Sequence, residues 1–228
     1  MSEGVYGDEI TGRITHGLLR LSTAMRSQAW SWAEGAGLTP TQGEILVLLM
    51  QSKTPLRLGE IARQTALTAA TASDAVTTLE SKGLVEKRRA VDDGRALAVR
   101  LTARGRTAAK KAATWPKFVS SAAGTLATEE QASLYRSLLK LIFEMEERTH
   151  IPKHRMCLTC EHFEPLAEAP KGGRASARRQ ARAVSAVHHC DYFVIDYSDN
   201  GIRLDCPGYE PADVAKVKKI WKIFNRAA

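Results

Sequence analysis

The sequence predicts a mainly helical chain with one small β element, an α+β class, and three patterns carry that expectation. Apolar residues recur at helical spacing through most of the first 150 of its 228 residues. Between Leu84 and Thr102 the period drops to two, and the two short runs are separated by the turn-forming tip Asp92-Asp93-Gly94-Arg95. All four cysteines, Cys157, Cys160, Cys190 and Cys206, lie in the last third, which must therefore be organised on another principle.

The first helix is expected over Ile10 to Glu34, where Ile14, Leu18, Leu21, Met25 and Trp30 share a side. Thr39 or Thr41 caps a second helix with Pro40 near its start, and Ile45, Leu46, Leu48 and Leu49 face its core. After a break at Thr54-Pro55, Leu58 to Ala62 begins a short helix and Thr68 to Glu80 another. Ala72, Val76 and Leu79 fall at i, i+4 and i+7 and should point inward, leaving Ala70, Thr71, Asp74 and Thr78 outside. Gly83 stops this helix and Leu84 starts the hairpin, whose Lys87, Arg88, Arg89 and Arg95 make it cationic. Helices followed by such a hairpin read as a winged helix-turn-helix over residues 38–105.

An outward face of small and hydroxyl-bearing side chains can approach a major groove closely, and a cationic wing suits phosphates or a minor groove. The candidate contacts are Ala70, Thr71, Ser73, Asp74, Thr77, Thr78, Lys82, Lys87, Arg88, Arg89 and Arg95. Thr68 to Ser81 holds no Lys or Arg, so phosphate neutralisation must come from the cations that follow it. The chain carries 33 Lys and Arg against 25 Asp and Glu, net +8, which agrees with a polyanionic partner.

Leu38-Thr39-Pro40-Thr41-Gln42, Ile61-Ala62, Thr71-Ala72-Ser73, Leu79-Glu80-Ser81-Lys82-Gly83-Leu84-Val85, the Asp93-Gly94-Arg95 tip and Leu101-Thr102 with Gly105 together resemble the MarR (multiple antibiotic resistance regulator) family of bacterial transcription factors. The resemblance covers about the first two thirds of the chain. It implies a homodimer on a near-palindromic stretch of double-stranded DNA, the third helix in the major groove, Arg95 in the minor groove, and a possible small-molecule inducer. Family members often place Arg where Asp74 and Thr78 stand here. The resemblance also assigns the flanking helices to pairing two chains: residues 1–37, and 106–150, where Leu134, Leu138, Leu141, Ile142 and Met145 form a second stripe and Trp115-Pro116 interrupts the helix that begins near Thr102.

Residues 151–228 are expected to form a cysteine-rich metal module. Cys157-Leu158-Thr159-Cys160 is a CxxC turn in polar sequence, Cys190 follows His188-His189, and Pro207 follows Cys206. Disulfides do not suit a cytoplasmic chain, and the CxxC lacks the strand-and-helix setting of redox dithiols. Unligated core cysteines would explain one or two of the four, and metal ligation takes the remainder, so the four thiols point to one centre with four cysteine ligands. Zinc takes four thiolates, or thiols with His162, His188 or His189 substituting. A four-iron four-sulfur (4Fe-4S) cluster accepts widely separated thiolates and often a Cys-Pro ligand, and is the leading expectation, sensing redox state, oxygen, nitric oxide or iron; Zn2+ is the alternative. His16, His150 and His154 read as surface residues, and Phe163, Tyr192, Phe193, Tyr197 and Tyr209 either shield the thiols or form the module's core.

Residues 167–186, with Lys171, Arg174, Arg178, Arg179 and Arg182, read as a mobile basic loop, either solubilising or resting on DNA backbone. Asp213 can cap a last amphipathic helix with Val214, Val217, Ile220, Trp221 and Phe224 on one side, expected to pack on the dimer helices or a partner subunit. No apolar run is long enough to span a bilayer and no signal core follows Met1, so a soluble cytoplasmic protein is expected, without a membrane partner. There is no phosphate loop, HExxH or GxSxG, and no carboxylate pair at useful spacing, so an enzyme is not expected. A winged helix used as a protein-binding scaffold is the remaining rival.

Overall fold

The computed structural model describes residues 6–7, 9–52, 54–89, 97–148, 150–165 and 188–226. The wing tip with Arg95, and the basic loop 167–186, lie outside the described residues. The chain divides into two compact units, Met1–Thr125 and Leu126–Ala228.

In the first unit α1 (Ile10–Gly35) leads into α2 (Pro40–Gln51). Thr39 rather than Thr41 supplies the cap: its hydroxyl accepts from the Gln42 amide while the Gln42 side chain accepts from the Thr39 amide, each at 3.2 Å. A two-residue strand that the sequence did not announce, β1 (Leu56–Arg57), precedes α3 (Leu58–Gln64) and α4 (Ala69–Ser81). The hairpin of β2 (Val85–Arg89) and β3 (Leu97–Leu101) runs antiparallel from Val85 opposite Leu101 to Arg89 opposite Leu97, and β1 adds to the outer edge of β3.

The join between α4 and the hairpin is closely specified. Gly83 takes φ +68°, its amide donates to the Glu80 carbonyl at 2.8 Å, and the Leu84 amide donates to that of Leu79 at 3.0 Å. This paired closure ends a helix in the left-handed conformation glycine adopts at least cost. Thr102 then caps α5 (Ala103–Ala112), accepting from the Gly105 amide at 3.0 Å and donating to the Gly83 carbonyl at 2.8 Å. A Cβ on Gly105 would collide with the Leu84 carbonyl, so the residue there must be glycine. Pro116 separates α5 from α6 (Lys117–Ala123), as the missing amide requires. Ile45, Leu46, Ile61, Ala72, Val76, Leu79 and Val99 are wholly buried in one core.

The second unit begins with α7 (Thr128–Glu147). A single 3-10 turn over Cys157–Thr159 leads to a meander of three short antiparallel strands, β4 (Phe163–Pro165), β5 (His188–Cys190) and β6 (Ile195–Tyr197). Another 3-10 turn at Asp199–Gly201 precedes the last helix, α8 (Val214–Arg226), which Asp213 caps by accepting from the Lys216 amide at 2.7 Å. Leu139 and Phe143 of α7, Met156, Cys157, Leu158 and Cys160, Phe163, Ile202, and Ile220 and Phe224 of α8 form one core, with Phe143 stacked on Trp221 at 4.0 Å. The last helix thus packs on α7, as its amphipathic pattern foreshadowed.

Leu79→Ala should destabilise the first unit by about 2–5 kcal/mol, because the void it leaves is ringed by side chains already at full packing. A denaturant midpoint followed by far-UV circular dichroism measures this.

Candidate nucleic-acid interface and thiol centre

The outer face of α4 is set by its caps. Thr68 accepts from the Thr71 amide at 3.1 Å, and the two hydroxyls share a hydrogen bond at 2.8 Å. Ala70, Thr71, Asp74 and Thr77 are exposed, whereas Ser73 and Thr78 are half-buried and the Thr78 hydroxyl donates to the Asp74 carbonyl. Of the outward set, Thr78 is therefore the least available.

The cations that follow α4 are already engaged. Lys82 Nζ donates to the Gly37 carbonyl at 2.7 Å and to Gln42 Oε1 at 3.2 Å, tying the end of α4 to the α1–α2 corner. Lys87 pairs with Glu80 at 2.9 Å and donates to Thr77 Oγ1. Arg88 and Arg100 share Glu86, at 3.2 and 2.6 Å. Hydrogen bonds from Lys87 to Glu80, and from Arg100 and then Arg88 to Glu86, hold both carboxyls below the usual range. Arg89 is exposed and has no partner among the described residues. Arg100 joins the cationic surface although sequence reasoning had passed over it; its place opposite Glu86 in the hairpin register was the available clue.

In the second unit all four cysteines are free, three of them buried and Cys190 half-buried. Two tight turns carry three of them: the Cys160 amide closes on the Cys157 carbonyl at 3.0 Å, and the Tyr209 amide on the Cys206 carbonyl at 3.3 Å. The Cys206 amide donates to the Arg155 carbonyl at 2.9 Å, which brings the second turn beside the first. Cys190 pairs across the sheet with Phe163, three residues past Cys160. Burial pushes the Cys157 and Cys160 thiols up, and the charges of neighbouring cysteines add to it: Cys206 and Cys160 at Cys157, Cys206 and Cys190 at Cys160. At Cys160 the backbone of Glu210 and then of His162 works against that rise. The Arg203 amide donates to Cys157 Sγ at 3.2 Å, and the Cys157 amide returns the bond to the Arg203 carbonyl at 3.0 Å. Among the described residues, no group of three or more His, Cys, Asp or Glu side chains is arranged to hold a metal ion.

The histidines considered as ligands find other partners. His188 Nε2 meets Asp199 Oδ1 at 2.7 Å, His189 Nδ1 meets Asp196 at 2.6 Å, and the His162 ring lies against Tyr192. Phe163, Tyr197 and Tyr209 pack into the core beside the thiols, while Tyr192 stays half exposed with its ring over the bare Gly208. Several polar residues went unnoticed in the sequence. Arg136 of α7 is bonded to Asp199 and to the Phe224 carbonyl, and its guanidinium lies over the Phe224 ring. Burial works against a charge on Asp199, but the bonds from His188 and Arg136 outweigh it and hold the carboxyl low. Glu146 is 1% exposed and accepts from His154 at both its amide and Nδ1. It stands at i+3 from Phe143 on the buried side of α7, a periodicity that could have revealed it.

A winged helix whose recognition helix ends in a glycine closure and leads into a charged hairpin defines a class of DNA-binding domain. Residues 36–96 match the profile of the MarR family. The S. aureus MepR–DNA complex is similar at 22% identity, over 57% of this chain and 96% of that chain, with a TM-score of 0.52. S. aureus MepR in its DNA-binding conformation is also 22% identical, over 58% and 98%, with a TM-score of 0.53. A probable transcriptional regulator from Pseudomonas aeruginosa is 31% identical, over 59% and 97%, at 0.46. No curated protein matches the chain. Among the described residues, no helix is long and apolar enough to cross a membrane.

The bond to Glu146 raises His154 above its ordinary value of 6.5, against a smaller opposing effect of burial. That contribution is therefore complete below pH 6.5 and fades as pH rises through the raised value. The thermal midpoint of the chain should fall over this window, and His154→Gln should flatten the dependence; an unchanged slope in the variant would show the pair to be inert.

Proposed function

We propose that the chain is a homodimeric, DNA-binding transcriptional regulator whose affinity for a near-palindromic operator is controlled by a metal centre on Cys157, Cys160, Cys190 and Cys206. The observation that carries the DNA-binding reading is the exposed face of Ala70, Thr71, Asp74 and Thr77 on α4, immediately followed by the cationic hairpin of a MarR-family domain. Small residues and hydroxyls let a helix approach base edges, and Lys82, Lys87, Arg88, Arg89 and Arg95 supply the phosphate contacts. The likeness to MepR bound to DNA supports the same use of the fold. The dimer is supported by α1, where Ile14, Leu18 and Leu21 lie in line and stay 42–59% exposed.

The chemistry of the four free thiols, rather than a ready-made arrangement of three or more ligands, supports a bound cation. Free cysteines, three of them buried, whose charges would repel, with the Arg203 amide turned toward the Cys157 sulfur, match what thiolate ligands require. An iron–sulfur cluster of the 4Fe-4S type is our reading of the centre: bound there, it would supply a group whose redox state or loss reports oxygen, nitric oxide or iron. The burial of Cys157, Cys160 and Cys206 among Phe163, Tyr197 and Tyr209 supports it, since limited solvent access and bonds to sulfur tune such groups. A structural zinc site is the second reading, favoured by the two tight turns at Cys157 and Cys206, and would leave induction to an organic ligand.

Protein purified without air decides between them. Equal iron and sulfide in a brown protein is the expected result; a colourless protein with one zinc per chain establishes the second reading, and neither metal removes the centre altogether. Arg95→Ala should cost about 1–3 kcal/mol of affinity for operator DNA selected from a random pool, measured by titration at fixed salt. Unaltered affinity there would favour a protein-binding scaffold.

A further inference from the structure

The hydrogen bonds that frame Cys157 do not end at the sulfur. The Arg203 amide reaches Cys157 Sγ from a short segment, 199–203, whose other groups are held by α7. Tyr135 Oη donates to the Ile202 carbonyl at 2.6 Å, in the peptide unit that carries the Arg203 amide. At the other end of the segment, Arg136 of the same helix is bonded to Asp199, the first residue of the 3-10 turn, and the Ile202 amide closes that turn on the Asp199 carbonyl at 3.1 Å. Ile202 is buried, so the peptide is fixed on its side-chain face as well. Two consecutive residues of α7 therefore grip the two ends of the segment whose amide points at Cys157.

The geometry of Tyr135 is specific to this task. Its hydroxyl pulls on the carbonyl of the same peptide plane whose N–H faces sulfur, and a peptide is rigid about its C–N bond, so fixing the oxygen fixes the direction of the N–H. Polarising the carbonyl also strengthens the N–H as a donor, the cooperative effect of hydrogen bonds in series. Tyr135 is close enough to Cys157 for a charge on that sulfur to raise its own phenol, in addition to the effect of burial.

We propose that Tyr135, with Arg136 as its support, is a positioning residue for the Cys157 ligand, so that α7 is fastened to the metal centre through the Ile202–Arg203 peptide. The inference rests on the thiolate-centre reading above and extends it to the helix that senses the centre. A metal-bound sulfur carries charge and accepts a stronger bond than a neutral thiol, so an occupied centre tightens the chain Cys157, Arg203, Ile202, Tyr135. An empty one lets the same segment relax from α7.

Tyr135→Phe tests this with little disturbance, since the ring stays and only the hydroxyl is lost. Co2+ is titrated into the full chain, purified metal-free without air, and the visible absorption of thiolate-bound cobalt is followed. The expected result is a cobalt affinity about tenfold weaker than that of the parent chain, as for other residues behind a ligand. In the parent chain, cobalt should slow amide exchange across Leu138–Met145; in the variant it should slow it much less. A merely structural hydroxyl would lower the thermal midpoint of the metal-free protein and leave cobalt affinity and the exchange difference unchanged, which overturns the proposal. Arg136→Lys, which keeps the charge but not the paired hydrogen bonds to the Asp199 carboxylate and the Phe224 carbonyl, should weaken cobalt binding in the same direction if the segment is held as described; full affinity in both variants overturns it. If the parent chain itself fails to bind cobalt, the failure belongs to the thiolate-centre reading instead.

Discussion

The second unit depends on the cost of pointing an amide at sulfur. Buried cysteine is an ordinary core residue and asks for nothing. A backbone N–H spent on a neutral thiol is another matter, because the thiol is a weak acceptor and a buried donor left poorly satisfied costs about 1–3 kcal/mol. Arg203 donates to Cys157 at 3.2 Å, so an amide meets this cost within one small core. A thiolate shared with a cation would repay it, so this bond adds to what cysteine count and spacing offer a metal-bound reading. The same constraint explains the crowding of polar groups nearby: Asp199, His188 and Arg136 brace the segment that carries the donor.

In the first unit the problem is inverted. The helix that would meet DNA carries no cation, and those flanking it are paired with Glu80 and Glu86 or with backbone oxygens. Exposed pairs of this kind contribute only about 0–1 kcal/mol, so a phosphate can displace the carboxylate at small cost. The pairs hold Lys87 and Arg88 extended along the hairpin before any contact is made. Lys82 differs: its two acceptors belong to the α1–α2 corner, and giving them up would free the end of α4. Its role in the fold therefore competes with a role on DNA.

Much of this arrangement was legible in the sequence because the relevant forces are local. Helix spacing placed Ala72, Val76 and Leu79 inside, a lone glycine marked the end of α4, and period two marked the hairpin, each a property of a dozen neighbouring residues. What escaped was non-local. The strand β1 exists only because β3 offers it an edge. Arg136 and Glu146 read as surface charges until distant residues close over them, and the pairing of Cys190 with Phe163 spans a long insertion that no periodicity bridges. That the thiols share the second unit was legible from their places in the chain; the amide that meets Cys157 was not, because a backbone donor leaves no mark on the side-chain sequence.

Helix α7 brings the two kinds of information together. Tyr135, Leu139, Phe143 and Glu146 occupy its inner side and enclose the cysteine core. Leu134, Leu138, Leu141 and Met145 follow one another at spacings of four, three and four on another side, and Leu134, Leu141 and Met145 remain 41–45% exposed. That spacing is the stripe of helices that pair with helices. A helix apolar on one side needs one neighbour; this one has the cysteine core on the first side and an open stripe on the second. Because packed helices shift as bodies rather than deform, a change of grip at Tyr135 and Arg136 would carry the outer stripe with it. The width of the apolar surface, which in the sequence alone could be taken for a generous dimer face, is better understood as two narrow faces on one element, one enclosing the cysteine core and one exposed.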